Sequence, residues 1–388
     1  MLSPPIFGDP AVEAHALAHS RRLLELIGVE VARCAGWIGF DRYMQLALYA
    51  PGLGYYSGGA TKLGGAGDFV TAPELSSLFG RTLARQIAEV LSDIGGDVLE
   101  LGAGSGCLAA HILEALGESG PLPARYLILE VSAELAARQR QLLRKLAPEL
   151  ASRVAWIERV PAAFRGIVLC NEVLDALPTH LIVWTDTGIC ERGVACSGDA
   201  LVWEDRALTE PTLLARSRRL NPTPPYLSEM AQIGPALIRT LAGALQCGAL
   251  LLIDYGFGER EYYHPQRRHG TLMCHFRHRV HEDPFFLPGL QDISSHVDFT
   301  AVTRAGGDAG LELLGYTTQA QFLINLGITE LMAQTPAADS AAYLPLAAQA
   351  HKLLSPAEMG ELFKVLALGR GIERPLAGFG SGLLSRLL

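Results

Sequence analysis

The sequence predicts an α/β fold of Rossmann-like type, a mostly parallel sheet with helices on both faces. Three observations carry that expectation. From residue 97 onward, short apolar runs alternate with helical patterns, which argues for parallel strands joined by helices. A glycine-rich turn, Gly102-Ala103-Gly104-Ser105-Gly106, follows the first run. Acidic residues stand at or just beyond the ends of several runs, where open α/β sheets bind ligands.

Residues 10–50 read as helical, with Asp41 capping the stretch RYMQLALYA and Pro51-Gly52 stopping it. PGLGYYSGGATKLGGAGDF follows, too long and too glycine-rich for a plain connector. Pro73 suits the first position of a helix through ELSSLFGRTLARQIAEVLSDI. DVLEL, RYLILEV, RVAWIERV and GIVLCNEV read as four strands. The helices between them are SGCLAAHILEAL and SAELAARQRQLLRKL, the latter opened by Ser132. HLIVWTDTGICERGVACSGDALVWED reads as three short antiparallel strands inserted ahead of a helix over EMAQIGPALIRTLAGAL. CGALLLIDYG is a further buried strand. GLELLGYTTQ and LFKVLALG read as a final strand pair flanking helices at 319–334 and 340–353.

The composition narrows the function. The chain has 388 residues, 49% of them hydrophobic and 19% charged, with a net charge of -8. That is ample material for a core, and it lacks the basic footprint of a nucleic-acid binder. No apolar run reaches the ~18 residues a membrane span needs, so no membrane insertion is expected. The N-terminus shows no secretory pattern, and its early Asp9 and Glu13 argue against a transit peptide. Seven scattered cysteines without a CxxC pair point to a reducing cytoplasm, not to disulfides or structural zinc. The stretch 264–298 holds more than half of the eleven histidines. His275, His278 and His281 alternate with Arg277 and Arg279, whose charge disfavours a metal ion; a polar loop beside the site, and no metal, is expected.

The glycines fall as GxGxG behind Glu100. A dinucleotide fingerprint needs its third glycine where Cys107 stands, and no lysine follows as in a phosphate-binding P-loop. The remaining match is the acidic-x-GxGxG turn that binds S-adenosylmethionine. Gly102, Gly104 and Gly106 let the backbone approach the ligand without a Cβ clash, and Glu100 can serve its cationic methionine end. Glu130, 24 residues past Gly106 at the end of the second strand, is placed to accept hydrogen bonds from ribose hydroxyls. The fourth strand ends in Asn171-Glu172-Val173-Leu174-Asp175, where a methyl acceptor should meet the donor. Carboxylates there suit a guanidinium, which stays protonated and binds them through paired donors. Glu172, Asp175 and Asn171 are therefore the candidate catalytic residues. Glu229 and Asp254 are candidates to extend the acidic wall.

The runs GDFVTAPELSSLFG, LELGAGSG, NEVLDALP, LLLIDYG and GTLMCHFRHRVHEDPFFLPGLQDISSHVDF resemble the MidA family, in the family's order, over roughly residues 38–370. The resemblance implies a class I methyltransferase fold with a seven-stranded sheet, S-adenosylmethionine as donor and S-adenosylhomocysteine as product. It implies a protein arginine as acceptor, methylated at its terminal guanidino nitrogens, and it adds Asp68 and Thr71, in the glycine-rich loop, to the cofactor residues. Mitochondrial members assist assembly of respiratory complex I, so a complex I subunit is one acceptor it suggests; a homodimer is left open. The expected division is an N-terminal helical segment with a lid loop (1–72) and a methyltransferase domain (73–388) with insertions at about 179–225 and 260–298. The chain reads as a cytoplasmic bacterial member. Competing readings are a small-molecule or other side-chain acceptor, and a non-catalytic assembly factor that keeps the fold.

Overall fold

The computed structural model describes residues 14–58 and 71–388. Asp68 and most of the expected lid loop lie outside the described residues. The central sheet runs through seven strands: β1 (Asp97–Leu101), β2 (Tyr126–Leu129), β3 (Val154–Ile157), β4 (Phe164–Asn171), β5 (Leu245–Phe257), β6 (Glu312–Thr318) and β7 (Phe363–Arg370). Their spatial order is β6-β7-β5-β4-β1-β2-β3. The neighbours from β5 to β3 are parallel, whereas β7 runs antiparallel to both β5 and β6. A short eighth strand, Val297–Asp298, pairs with the end of β5. The sheet is thus mixed and eight-stranded, not the seven-stranded arrangement expected.

Continuous burial along β1 follows from cover on both faces. Successive side chains point to opposite sides. Val98, Ile167, Leu169 and Leu251 join the core under the helices Ser77–Ile94 and Cys107–Ser119. Leu99, Val168, Cys170 and Leu250 join the core under Ile233–Ala244 and Phe299–Asp308. Ser132 caps its helix as expected, accepting from Leu135 N–H at 3.3 Å.

Local chemistry revised several boundaries. The described part of the stretch expected to be helical, residues 14–50, holds two helices, Ala14–Arg33 and Phe40–Tyr49, separated by a break where Ala35 and Gly36 take positive φ. Asp41 lies inside the second helix and does not cap it. The helix opened by Pro73 stops at Leu75, because Ser76 is extended and caps the next helix by accepting from Leu78 N–H. Tyr226–Ala231 is a strand, not the start of a helix, and it pairs with Thr179–Thr185. The inserted antiparallel sheet therefore has five strands. The three expected ones are joined by Tyr226–Ala231 and by Trp37–Gly39 from the N-terminal region. The histidine-rich stretch is not an open loop: Met273–Phe276, Arg279–His281 and Asp292–Ser294 form a small antiparallel sheet. Gly327, at φ 76°, splits the helix expected over 319–334 into Gln319–Asn325 and Ile328–Ala333. One apolar cluster ties Leu23, Tyr43 and Tyr55 to Leu181, Val194, Cys274 and Ile293, which fixes the N-terminal helices against both insertions. No helix among the described residues is long and apolar enough to cross a membrane.

Candidate active site

A cavity of about 490 Å³ opens beyond the carboxyl ends of β1, β2 and β4. Its lining includes Thr71, Glu100, Gly102, Gly104, Glu130, Asn171, Glu172 and Asp175, so eight residues singled out in the sequence meet there. Gly106 does not line it.

At one end, the chain leaves β1 through Gly102, Gly104 and Gly106 at φ 62°, 55° and 91°. Side chains adopt that left-handed region only at a cost, and β-branched ones hardly at all. Gly106 caps the following helix, and a Cβ there would stand 3.3 Å from Gln139. Gln139 is one residue that sequence reasoning missed. Fully buried, it donates to Gly104 carbonyl (2.9 Å) and to Glu130 (3.0 Å), and accepts from Trp156 Nε1–H at 2.7 Å. A polar residue in line with Ala136 and Leu143 on the buried helix face was the available clue. Glu130 also accepts from Ser132 N–H at 2.9 Å. Ser105 donates to Glu74, tying the glycine turn to the segment after Thr71. Glu100 is buried and accepts from Tyr126 Oη–H at 2.7 Å. Burial pushes its carboxyl up to about 7; the tyrosine bond opposes that rise and the Glu130 charge adds to it.

The other end is acidic. After β4 the backbone bends sharply at Glu172, a non-glycine residue at φ 51°. Glu172 N–H donates to Ile253 carbonyl at 2.9 Å, and Asp254 Oδ2 accepts from Leu174 N–H at 2.9 Å. Asp254 thus holds the turn from behind and does not line the cavity. Glu229 does not line it either; it accepts from Thr271 and Leu272 N–H and anchors that strand approach. The acidic wall has a different third member. Asp292, 4% exposed, lines the cavity and accepts from Tyr56 Oη–H at 2.9 Å. It comes from the histidine-rich insertion, directly opposite His275 in the strand pairing, and His275 also lines the cavity. Burial pushes the Glu172 carboxyl up to about 8, with the Asp175 charge adding to it. Burial, then the Asp254 and Asp292 charges, hold the Asp175 carboxyl well above the usual range. Asp175 is 7% exposed, and its Oδ1 is buried with no hydrogen-bond partner among the described residues.

Among the described residues, the group with metal-ligand spacing is Asp41, His180 and Glu191. None of the three lines the cavity, and His180 Nδ1 already bonds Glu191 at 2.7 Å.

Apolar Leu101, Leu108, Leu129 and Leu135 beside Glu100 and Glu130 fit an adenosine ligand with a cationic end. Comparison with known proteins agrees. A family model for S-adenosyl-L-methionine-dependent methyltransferases matches residues 82–317, more than half of the chain. The chain belongs to that family. A methyltransferase-like structure from Burkholderia thailandensis, bound to S-adenosylhomocysteine, is 48% identical, covers 98% of this chain and 100% of its own, and superposes with a TM-score of 0.95. The zebrafish (Danio rerio) mitochondrial protein arginine methyltransferase NDUFAF7 is 29% identical, with 89% of each chain covered. Its Xenopus tropicalis counterpart is 28% identical over 91% of this chain and 88% of its own. The methyltransferase therefore takes S-adenosylmethionine as donor and releases S-adenosylhomocysteine.

Proposed function

We propose that the methyltransferase modifies protein arginine at the terminal guanidino nitrogens, with Glu172 and Asp175 as the catalytic carboxylates and Asn171 orienting Glu172. The observation that carries this reading is the paired acids at the acceptor end of the cavity, one with a buried oxygen that has no partner among the described residues. The names of the vertebrate relatives point the same way. A neutral acceptor would leave those acids uncompensated, whereas a guanidinium matches carboxylates through paired donors.

On this reading the glycine turn, Glu100, Glu130 and Thr71 bind the donor. Glu130 takes the ribose hydroxyls in the position Ser132 and Gln139 hold for it. Glu100 faces the methionine ammonium. When bound, S-adenosylmethionine supplies an electrophilic methyl group and departs as the neutral thioether. Asn171 Nδ2–H donates to Glu172 at 3.2 Å and limits its rotation. Glu172 and Asp175 orient the guanidinium and draw its positive charge away from the attacking nitrogen, so placement and electrostatics supply most of the rate. The product is again a guanidinium, so one proton leaves the attacking nitrogen, and Glu172 accepts it.

Transfer of labelled methyl groups into a bacterial lysate, followed by mass spectrometry of the modified residue, tests the acceptor. Label on arginine is expected. Label confined to lysine, carboxyl groups or metabolites would overturn the proposal.

A further inference from the structure

We propose that Gln139 and Trp156, which stand behind the cavity and do not line it, are the positioning pair of the donor end and set its preference for a ligand with free ribose hydroxyls. The inference rests on the reading above that Glu130 takes those hydroxyls, and it specifies what holds Glu130 ready for them.

Gln139 sits on the buried face of the helix Ala133–Leu146, and its amide meets three groups at once. Its Nε2 donates both to Gly104 carbonyl at 2.9 Å and to Glu130 Oε2 at 3.0 Å, and its Oε1 accepts from Trp156 Nε1–H at 2.7 Å. The chemistry on each side fixes the amide's orientation. Turned over, its oxygen would face a carbonyl and a carboxylate, its N–H groups would face the indole N–H, and all three bonds would be lost. An indole N–H can only donate. Trp156 therefore dictates which way Gln139 points, although it lies on β3 at the edge of the sheet.

Both ends of this relay are held. Trp156 pairs with Ile128 of β2 and packs against the core beside it, and the Arg140 guanidinium covers its ring at 4.5 Å. At the other end Gly106 leaves Gln139 its place, since a Cβ there would stand 3.3 Å from the Cα, Cβ and Cγ of Gln139. That gives the third glycine a part in donor binding. Glu130 Oε1 accepts from Ser132 N–H at 2.9 Å while Oε2 accepts from Gln139, so both carboxylate oxygens are tied to the fold. A carboxylate ordered by the fold loses less freedom when a ligand binds. The same amide holds the Gly104 carbonyl, which keeps the ribose acid and the glycine turn at one spacing.

Calorimetry of the full chain with S-adenosylhomocysteine and with its 2′,3′-dideoxy analogue tests the pair. Wild type should prefer the ligand with hydroxyls. Gln139→Met keeps the length and loses every polar contact. It should weaken S-adenosylhomocysteine roughly ten- to a hundredfold, the scale of a hydrogen bond to a charged group, and the analogue much less, so the preference narrows. Trp156→Phe should narrow it in the same direction by about threefold to tenfold, the scale of a neutral hydrogen bond. If wild type binds both ligands equally, the ribose role of Glu130 itself fails. If wild type shows the preference and Gln139→Met weakens both ligands by one factor, or neither, Gln139 does not position Glu130. An unchanged preference in Trp156→Phe would remove Trp156 from the pair, and it would overturn the whole proposal should Gln139→Met not fold.

Discussion

The two ends of the cavity are built in opposite ways. The donor end is local: β1, its glycine turn, the tip of β2 and the helix after it lie within residues 97–146, and Gln139 braces them with three hydrogen bonds. The acidic end, which the proposed reading gives to the acceptor, gathers Tyr49 and Tyr56, Glu172 and Asp175, and Asp292 from segments scattered over some two-thirds of the chain. A shared ligand such as S-adenosylmethionine can be met by one recurring turn. An acceptor particular to a family has to be met by parts brought together in three dimensions. The comparison predicts that damage to one end should leave the other working.

The largest separation should come from Glu172→Gln. General base work and charge placement are worth on the order of 10²–10⁴ in rate, so transfer should collapse while S-adenosylhomocysteine still binds as in wild type. Calorimetry beside a labelled-methyl assay checks both; wild-type turnover would remove Glu172 from the mechanism. The mirror experiment is Gly104→Val. Gly104 sits at φ 55°, where a β-branched residue is strongly disfavoured. A strain of a few kcal/mol should weaken the donor's affinity by roughly 10²-fold. Affinity for butylguanidinium, a mimic of the arginine side chain, should then fall far less than donor affinity, and equal losses would mean that the two ends are not independent.

That contrast also explains what was legible in the sequence. A turn, a strand end and a helix cap are local patterns, so Glu100, Gly102, Gly104, Glu130 and the Asn171–Asp175 segment could be placed from spacing alone. The strand pair β6 and β7 was visible for the same reason, as two short apolar runs; its antiparallel entry into the sheet was not. Asp292 carries no local mark. It sits in a polar stretch among histidines, and the pairing of Asp292 with His275 and the bond from Tyr56, both made in three dimensions, help bring it into the cavity. Asp254 misled for a related reason. At the tip of a central strand it looked like a site residue, yet its carboxylate is turned toward backbone N–H groups that need a partner.

A finer probe of the acceptor end is its pH dependence. The Glu172 carboxyl is pushed up to about 8, and on the proposed mechanism it must be ionised to orient a cation and take its proton. For free enzyme, kcat/KM should therefore fall about tenfold per unit as the pH drops below about 8. A bound guanidinium favours the carboxylate, so the acid limb of kcat should lie at lower pH. A kcat/KM that stays flat from about pH 6 to 8.5 would show that Glu172 does not titrate in the reaction. The donor end supplies the control: S-adenosylhomocysteine binding should not follow the same limb.

The smallest effect should appear in stability, and its sign is opposite to the loss of activity. Glu172 has a folded pKa near 8, above the ordinary carboxyl value of 4.5. The unfolded chain gives up this proton first as the pH rises, so ionisation favours unfolding from about 4.5 up to about 8, where the cost levels off. The residue also holds a left-handed backbone that disfavours any side chain. On the proposed mechanism, both costs fall on the residue that meets the acceptor cation. Glu172→Gln should therefore melt a few degrees above wild type, with the gap growing from pH 5 to pH 8. Glu172→Gly, which relieves the backbone as well, should gain at least as much at pH 5, where the charge contributes little. A gain for Gln that is the same at every pH would locate the strain in packing and not in charge. A loss for both variants would mean that Glu172 supports the turn and does not burden it.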